Sequence, residues 1–184
     1  MKQVYILLSR TETLPSRVIH SATGGSFTHA SIALTPETDR FYSYARRKLH
    51  NALNAGLLVE NVHKFVFALY PDCHCRLYAV EVSDQSYQKI QSHLAHFMNH
   101  YKKAKYNFAG IVPLRMGIRW RRKFRLTCSQ FVALMLSNAK EIQLPKDPYL
   151  MLPNDFLKIK NMKLIYDGTL SNCSFGAVKK ETTL

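Results

Sequence analysis

Arg125-Leu126-Thr127-Cys128-Ser129-Gln130-Phe131-Val132-Ala133-Leu134-Met135-Leu136 carries apolar side chains at helical spacing: Phe131, Leu134 and Met135, with Val132 and Leu136 beside them. That spacing predicts a buried helix. Thr127 and Gln130 mark its start as a Thr-x-x-Gln capping box, in which hydroxyl and amide satisfy backbone groups that the first turn leaves unpaired. Cys128 therefore falls in the first turn, where free N–H groups and the positive end of the helix dipole favour a thiolate. An ordinary cysteine, with a pKa near 8.5, is only about 3 % ionised at pH 7, so this location bears on reactivity. Cysteine is also a common small core residue, and position alone leaves both readings open.

Around this helix the chain reads as one α+β domain over residues 1–184, with residues 177–184 a frayed tail. Its 47 % apolar and 21 % charged content is that of an ordinary globular protein. No window of apolar residues is long enough for a membrane span, and residues 1–10 read as a first strand rather than a signal peptide. Cys73, Cys75, Cys128 and Cys173 are too sparse for a disulfide scaffold, so a reduced, cytoplasmic setting is expected. The net charge of +14 implies attraction to acidic partners: nucleic acid, anionic lipid or cell-wall polymer.

Val4 to Ser9 is strand-like, and Leu14 to Ala22 reads as a short helix stopped by Gly24-Gly25. Thr28 to Leu34 and Phe41 to Ala45 read as a β-hairpin across the turn chemistry of residues 35–40. Gly56 to Val62 and Lys64 to Tyr70 are weaker strand candidates, and Cys75 to Val82 alternates more clearly. Ser83 caps a helix whose Tyr87, Ile90, Leu94, Phe97 and Tyr101 form one stripe. Residues 107–118 read as a loop with a helical piece, and Leu164-Ile165-Tyr166 as an edge strand.

Several side chains invite a chemical reading. His29 opens a strand behind a Gly-Gly loop, and a Cys–His pair is the minimum set for acyl transfer: the imidazole takes the thiol proton and later protonates the leaving group. A lone strand histidine is more often structural. In Cys73-His74-Cys75 strand alternation lets the sulfurs converge while His74 points away, but zinc needs about four ligands and no matching pair is evident. His93, His96 and His100 flank the apolar stripe; His96 and His100 have metal-pair spacing without the glutamate of His-Glu-x-x-His, so a solvated face is expected. Neither a metal nor another cofactor is called for.

Thr28-His29-Ala30-Ser31-Ile32-Ala33 and Thr127-Cys128-Ser129-Gln130-Phe131-Val132 resemble the circularly permuted NlpC/P60 papain-like superfamily, in which the histidine strand precedes the cysteine helix. That group includes YiiX/YebB-like bacterial hydrolases and the lecithin retinol acyltransferase group. Phe41-Tyr42-Ser43-Tyr44-Ala45-Arg46-Arg47-Lys48 is similar to a hairpin strand of its bacterial members. The resemblance follows element order over residues 3–167, with specificity in the two short motifs. It implies a small antiparallel sheet packed on helices, nucleophile Cys128, base His29, and a third polar residue orienting the imidazole. Relatives place a histidine, a glutamate or a similar polar group on the strand after the histidine strand. Here Tyr44 stands in that place, with Ser43 beside it but turned the other way by strand alternation. The oxyanion hole would use the Cys128 backbone N–H.

Arg115, Arg119, Arg121, Arg122, Lys123 and Arg125, interleaved with Met116, Ile118, Trp120 and Phe124, form the densest basic run. It reads either as a solvated loop or as a positive wall by the nucleophile, facing an anionic substrate or membrane. The expected activity is cleavage of an amide or ester through a thioacyl intermediate, on a cell-wall peptide or a lipid. The alternative is a non-catalytic basic module for acidic lipid or nucleic acid on the same fold, although no nucleic-acid motif is present.

Overall fold

The computed structural model describes residues 1–10, 24–36, 40–48, 51–62, 64, 67–101 and 104–173. The helix expected over Leu14 to Ala22 and the tail from Ala177 lie outside these. Eight strands form one sheet in the order β7-β6-β4-β3-β2-β1-β5-β8. They are β1 (Lys2–Ser9), β2 (His29–Ala33), β3 (Phe41–Lys48), β4 (Asn51–Glu60), β5 (His74–Val82), β6 (Lys105–Tyr106), β7 (Arg125–Leu126) and β8 (Met162–Thr169). All neighbours pair antiparallel except β6 and β7, which run parallel. The sheet is thus larger than the small antiparallel one expected. Its two shortest strands have two residues each and carry no periodicity to read.

Three α-helices are described: α1 (Asp84–His100), α2 (Ile111–Arg115) and α3 (Cys128–Leu136). The Ser83 hydroxyl accepts from the Ser86 N–H and starts α1, which buries Ile90 and Leu94 against the sheet. Along β1 the alternation divides between two cores. Val4, Ile6 and Leu8 enter the larger one with α1 and α3, while Tyr5 and Leu7 enter a second with Phe41, Phe67 and Leu77. A strand covered on both faces reads as a continuous apolar run, as β1 does. No described helix is long and apolar enough to cross a membrane.

The strand expected over Lys64 to Tyr70 is instead a 3-10 turn at Phe67–Leu69. There Phe67 is buried and Leu69 is exposed, so the segment caps the second core rather than extending the sheet. Strand β8 lies at the sheet edge, as Leu164 to Tyr166 suggested.

Candidate active site

The capping box of α3 forms as the sequence indicates. The Gln130 N–H donates to Thr127 Oγ1 at 3.3 Å, and the Thr127 N–H donates to Gln130 Oε1 at 3.0 Å. Two further bonds tie this helix start to the segment behind it: Gln130 Nε2 donates to the Tyr149 carbonyl at 2.8 Å, and the Ser129 hydroxyl to that of Met151 at 2.7 Å. Cys128 is held here with 2 % of its surface exposed.

β2 brings His29 to the sulfur. The Ala30 backbone N–H and the His29 ring both stand close enough to Cys128 to lower its thiol pKa. The other side of the imidazole meets a residue that sequence reading did not find. His29 Nε2 lies 3.0 Å from Glu60 Oε2, at the end of β4, and both side chains are largely buried. A carboxylate accepts only, so Nε2 carries the proton in this contact.

The electrostatics follow from this order of groups. Burial disfavours an imidazolium, but the Glu60 carboxylate and the hydrogen bonds to Cys128 and Glu60 outweigh it and hold the His29 pKa well above its usual value. Burial likewise disfavours the Cys128 thiolate. The His29 hydrogen bond and charge, the Ala30 N–H and the Tyr106 hydroxyl outweigh that penalty and lower the thiol pKa. Each shift favours the charged form of its group, the imidazolium at His29 and the thiolate at Cys128.

Tyr106 is the second residue that sequence reading missed. Its hydroxyl lies 3.8 Å from Cys128 Sγ. The parallel β6–β7 pair sets Tyr106 against Leu126, two positions before the cysteine. Burial, with the neighbouring sulfur, raises the phenol well above its ordinary pKa and keeps it a proton donor.

Tyr44 requires a correction. It pairs with Leu57 across β3 and β4, and its buried ring packs on Phe131 with centroids 5.4 Å apart. Its side chain belongs to the large core, and Glu60 takes the place beside His29. Ser43 is fully buried, and its hydroxyl has no hydrogen-bond partner among the described residues. The metal candidates also settle into ordinary packing. Cys73 and Cys75 are buried in the second core, His74 meets Asp167 at 2.7 Å, and the exposed His96 and His100 rings stack on each other. Among the described residues no group of three or more metal-ligating side chains is placed to hold an ion.

The sulfur faces a cavity of about 10 Å³, the room of one water. Thr28, Tyr106, Ile111, Leu114, Leu152 and Pro153 wall it beside Cys128. The loop leading into β2 is fixed by one amide. Asn154 Oδ1 accepts from the Phe27 N–H at 3.1 Å, while Asn154 Nδ2 donates to the Phe27 carbonyl at 2.8 Å. Gly25 permits this approach, since a Cβ there would stand 1.9 Å from Asn154 Nδ2.

Compared with protein-family models, with curated proteins and with solved structures, the chain gives no match. The chemistry assigned to this site rests on its own side chains.

Proposed function

We propose that the protein is a cysteine hydrolase or acyltransferase of the permuted papain-like, NlpC/P60-related kind, acting on an amide or ester carbonyl. One observation carries the reading: a buried imidazole held between a buried carboxylate and a thiol at a capped helix start. A non-catalytic binding module has no use for that arrangement.

In the proposed reaction the Cys128 thiolate attacks the carbonyl carbon and forms a C–S bond, and the negative charge passes to the carbonyl oxygen. The Cys128 N–H and the Tyr106 hydroxyl, already neighbours, are the donors placed to receive that charge. As the tetrahedral adduct collapses, the imidazolium proton passes to the departing nitrogen or oxygen, and the C–N or C–O bond breaks. His29 then takes a proton from water or an acceptor alcohol or amine. That nucleophile attacks the thioester carbonyl, the C–S bond breaks, and the thiolate returns. Glu60 holds the ring and favours its charged state.

Iodoacetamide labelling tests the nucleophile. A free thiol loses roughly 80-fold in thiolate between about pH 8 and pH 6, whereas Cys128 should lose far less. Cys73, pushed up to about 12 mainly by burial, and Cys75 and Cys173, packed with it in the second core rather than on the cavity that Cys128 lines, should label slowly throughout. Mass spectrometry after reaction with an activated ester should find the acyl group on Cys128 alone. Labelling no faster than a free thiol, together with hydrolysis undiminished in Cys128→Ala, would overturn the proposal.

A further inference from the structure

Outside the catalytic cluster the most unusual surface is the segment from Val112 to Phe124. Val112, Met116, Ile118, Trp120 and Phe124 are 43 to 69 % exposed, and they are five of the eleven large apolar side chains that stand exposed among the described residues. A folded chain has no internal reason to gather them in one stretch. Between them lie Arg115, Arg119, Arg121, Arg122 and Lys123, with Arg125 following. Of these six cations only Arg119 meets a carboxylate among the described residues, Asp147 at 3.3 Å. Others lie over aromatic faces: Arg121 over Tyr149, Arg122 over Trp120 and Lys123 over Phe124.

The backbone adds an independent observation. The Arg125 N–H donates to the Arg122 carbonyl, closing a turn with Lys123 and Phe124 at its tip. Phe124 takes φ +56° there, the left-handed region that a bulky residue seldom adopts. The Lys105 N–H holds its carbonyl at 3.0 Å, and the ring leans on Tyr101 while staying half exposed. Glycine or asparagine would suit the backbone better, so phenylalanine at this site is explained by what it presents outward.

We propose that residues 112–124 dock onto the surface of an anionic lipid bilayer. The cations meet phosphate headgroups while Trp120, Phe124 and the aliphatic side chains enter the headgroup–acyl boundary. Nucleic acid would use the charge and the rings but has no use for Val112, Met116 and Ile118. Helix α2 sets this face beside the cleft, because Ile111 and Leu114 wall the cavity by Cys128 while Val112 and Met116 face outward. Resting on the cysteine-hydrolase reading, this placement names the substrate class: an acyl ester or amide held in the membrane.

Trp120 is the chain's single tryptophan and therefore a direct reporter. Vesicles of equimolar phosphatidylglycerol and phosphatidylcholine should shift its emission to the blue and carry the protein down on sedimentation. Pure phosphatidylcholine should do neither. Raising NaCl from about 0.1 M to about 0.5 M should weaken binding at least tenfold. Arg115→Glu combined with Arg121→Glu and Lys123→Glu should lose binding by more than a hundredfold, each reversal acting on a charge worth about fivefold in partitioning. Met116→Ser with Phe124→Ser should keep the salt dependence but lose the blue shift, with circular dichroism verifying the fold of both variants. Equal binding to pure phosphatidylcholine, an unmoved Trp120 spectrum, or release from vesicles by competing duplex DNA at stoichiometric amounts would overturn the proposal. Cys128→Ala should bind vesicles as the unaltered protein does, so failure of docking and failure of the catalytic reading are separate results.

Discussion

At the scale of residues, the proposed reaction turns on the imidazole of His29, which the Glu60 carboxylate holds at 3.0 Å. Glu60→Gln keeps the size of the side chain but removes the carboxylate, so the His29 pKa should fall and the thiolate lose its counter-charge. We expect kcat to fall about 10–100-fold, on the scale of positioned acid–base groups, and the low-pH arm of Cys128 alkylation to move upward. A merely structural Glu60 would lower the melting temperature without moving that arm. Tyr106→Phe removes one hydroxyl from the place where negative charge would gather in the proposed reaction. Loss of one such donor costs about 100-fold in kcat, and KM for the same ester should change little. Neither residue announces itself along the chain. Glu60 lies 31 positions after His29 and on a strand that is not its neighbour in the sheet, while Tyr106 sits in a strand of two residues.

At the scale of elements, local signals foretold what local physics builds. The Thr127–Gln130 capping box, the Ser83 cap, the apolar stripe of α1 and the hairpin of β2 and β3 are all set by spacings within a few residues. Position relative to the histidine strand pointed to Tyr44, but the large core claims its ring, and only the sheet order reveals Glu60. The loop before β2 was equally opaque, because its anchor, Asn154, is 127 positions away. Asn154→Ala should leave the Phe27 N–H and carbonyl without their partner, at a cost of about 1–3 kcal/mol. Chemical denaturation would measure it. Because Phe27 lies two residues before His29, the variant should also slow Cys128 alkylation, and a stability loss with unchanged alkylation would separate the loop from the site.

At the scale of the molecule, the wall of the cleft should be sensitive to acid. Asp155 is 5 % exposed and accepts from Lys146 Nζ at 2.7 Å, the Leu152 N–H at 2.9 Å and Lys158 Nζ at 3.2 Å. Burial favours its neutral form, but the Lys146 bond, the Leu152 N–H and Lys158 outweigh it and lower its pKa in the folded protein. A carboxylate depressed in the folded state adds stability above its unfolded pKa of about 3.9, and loses it as pH falls through the folded value. Leu152, whose N–H it holds, lines the cavity at Cys128, so the same protonation loosens the site. The net charge of +14 works in the same direction, since protonating carboxylates leaves the cations less balanced. Asp155→Asn keeps an acceptor for Leu152 but loses both pairs to the exposed lysines, and should cost about 1 kcal/mol at neutral pH. Thermal melts of the two proteins should therefore differ most at about pH 6–7 and converge below about pH 3. A gap that stayed constant across that range would show that the Asp155 charge contributes nothing, and that packing alone holds the wall.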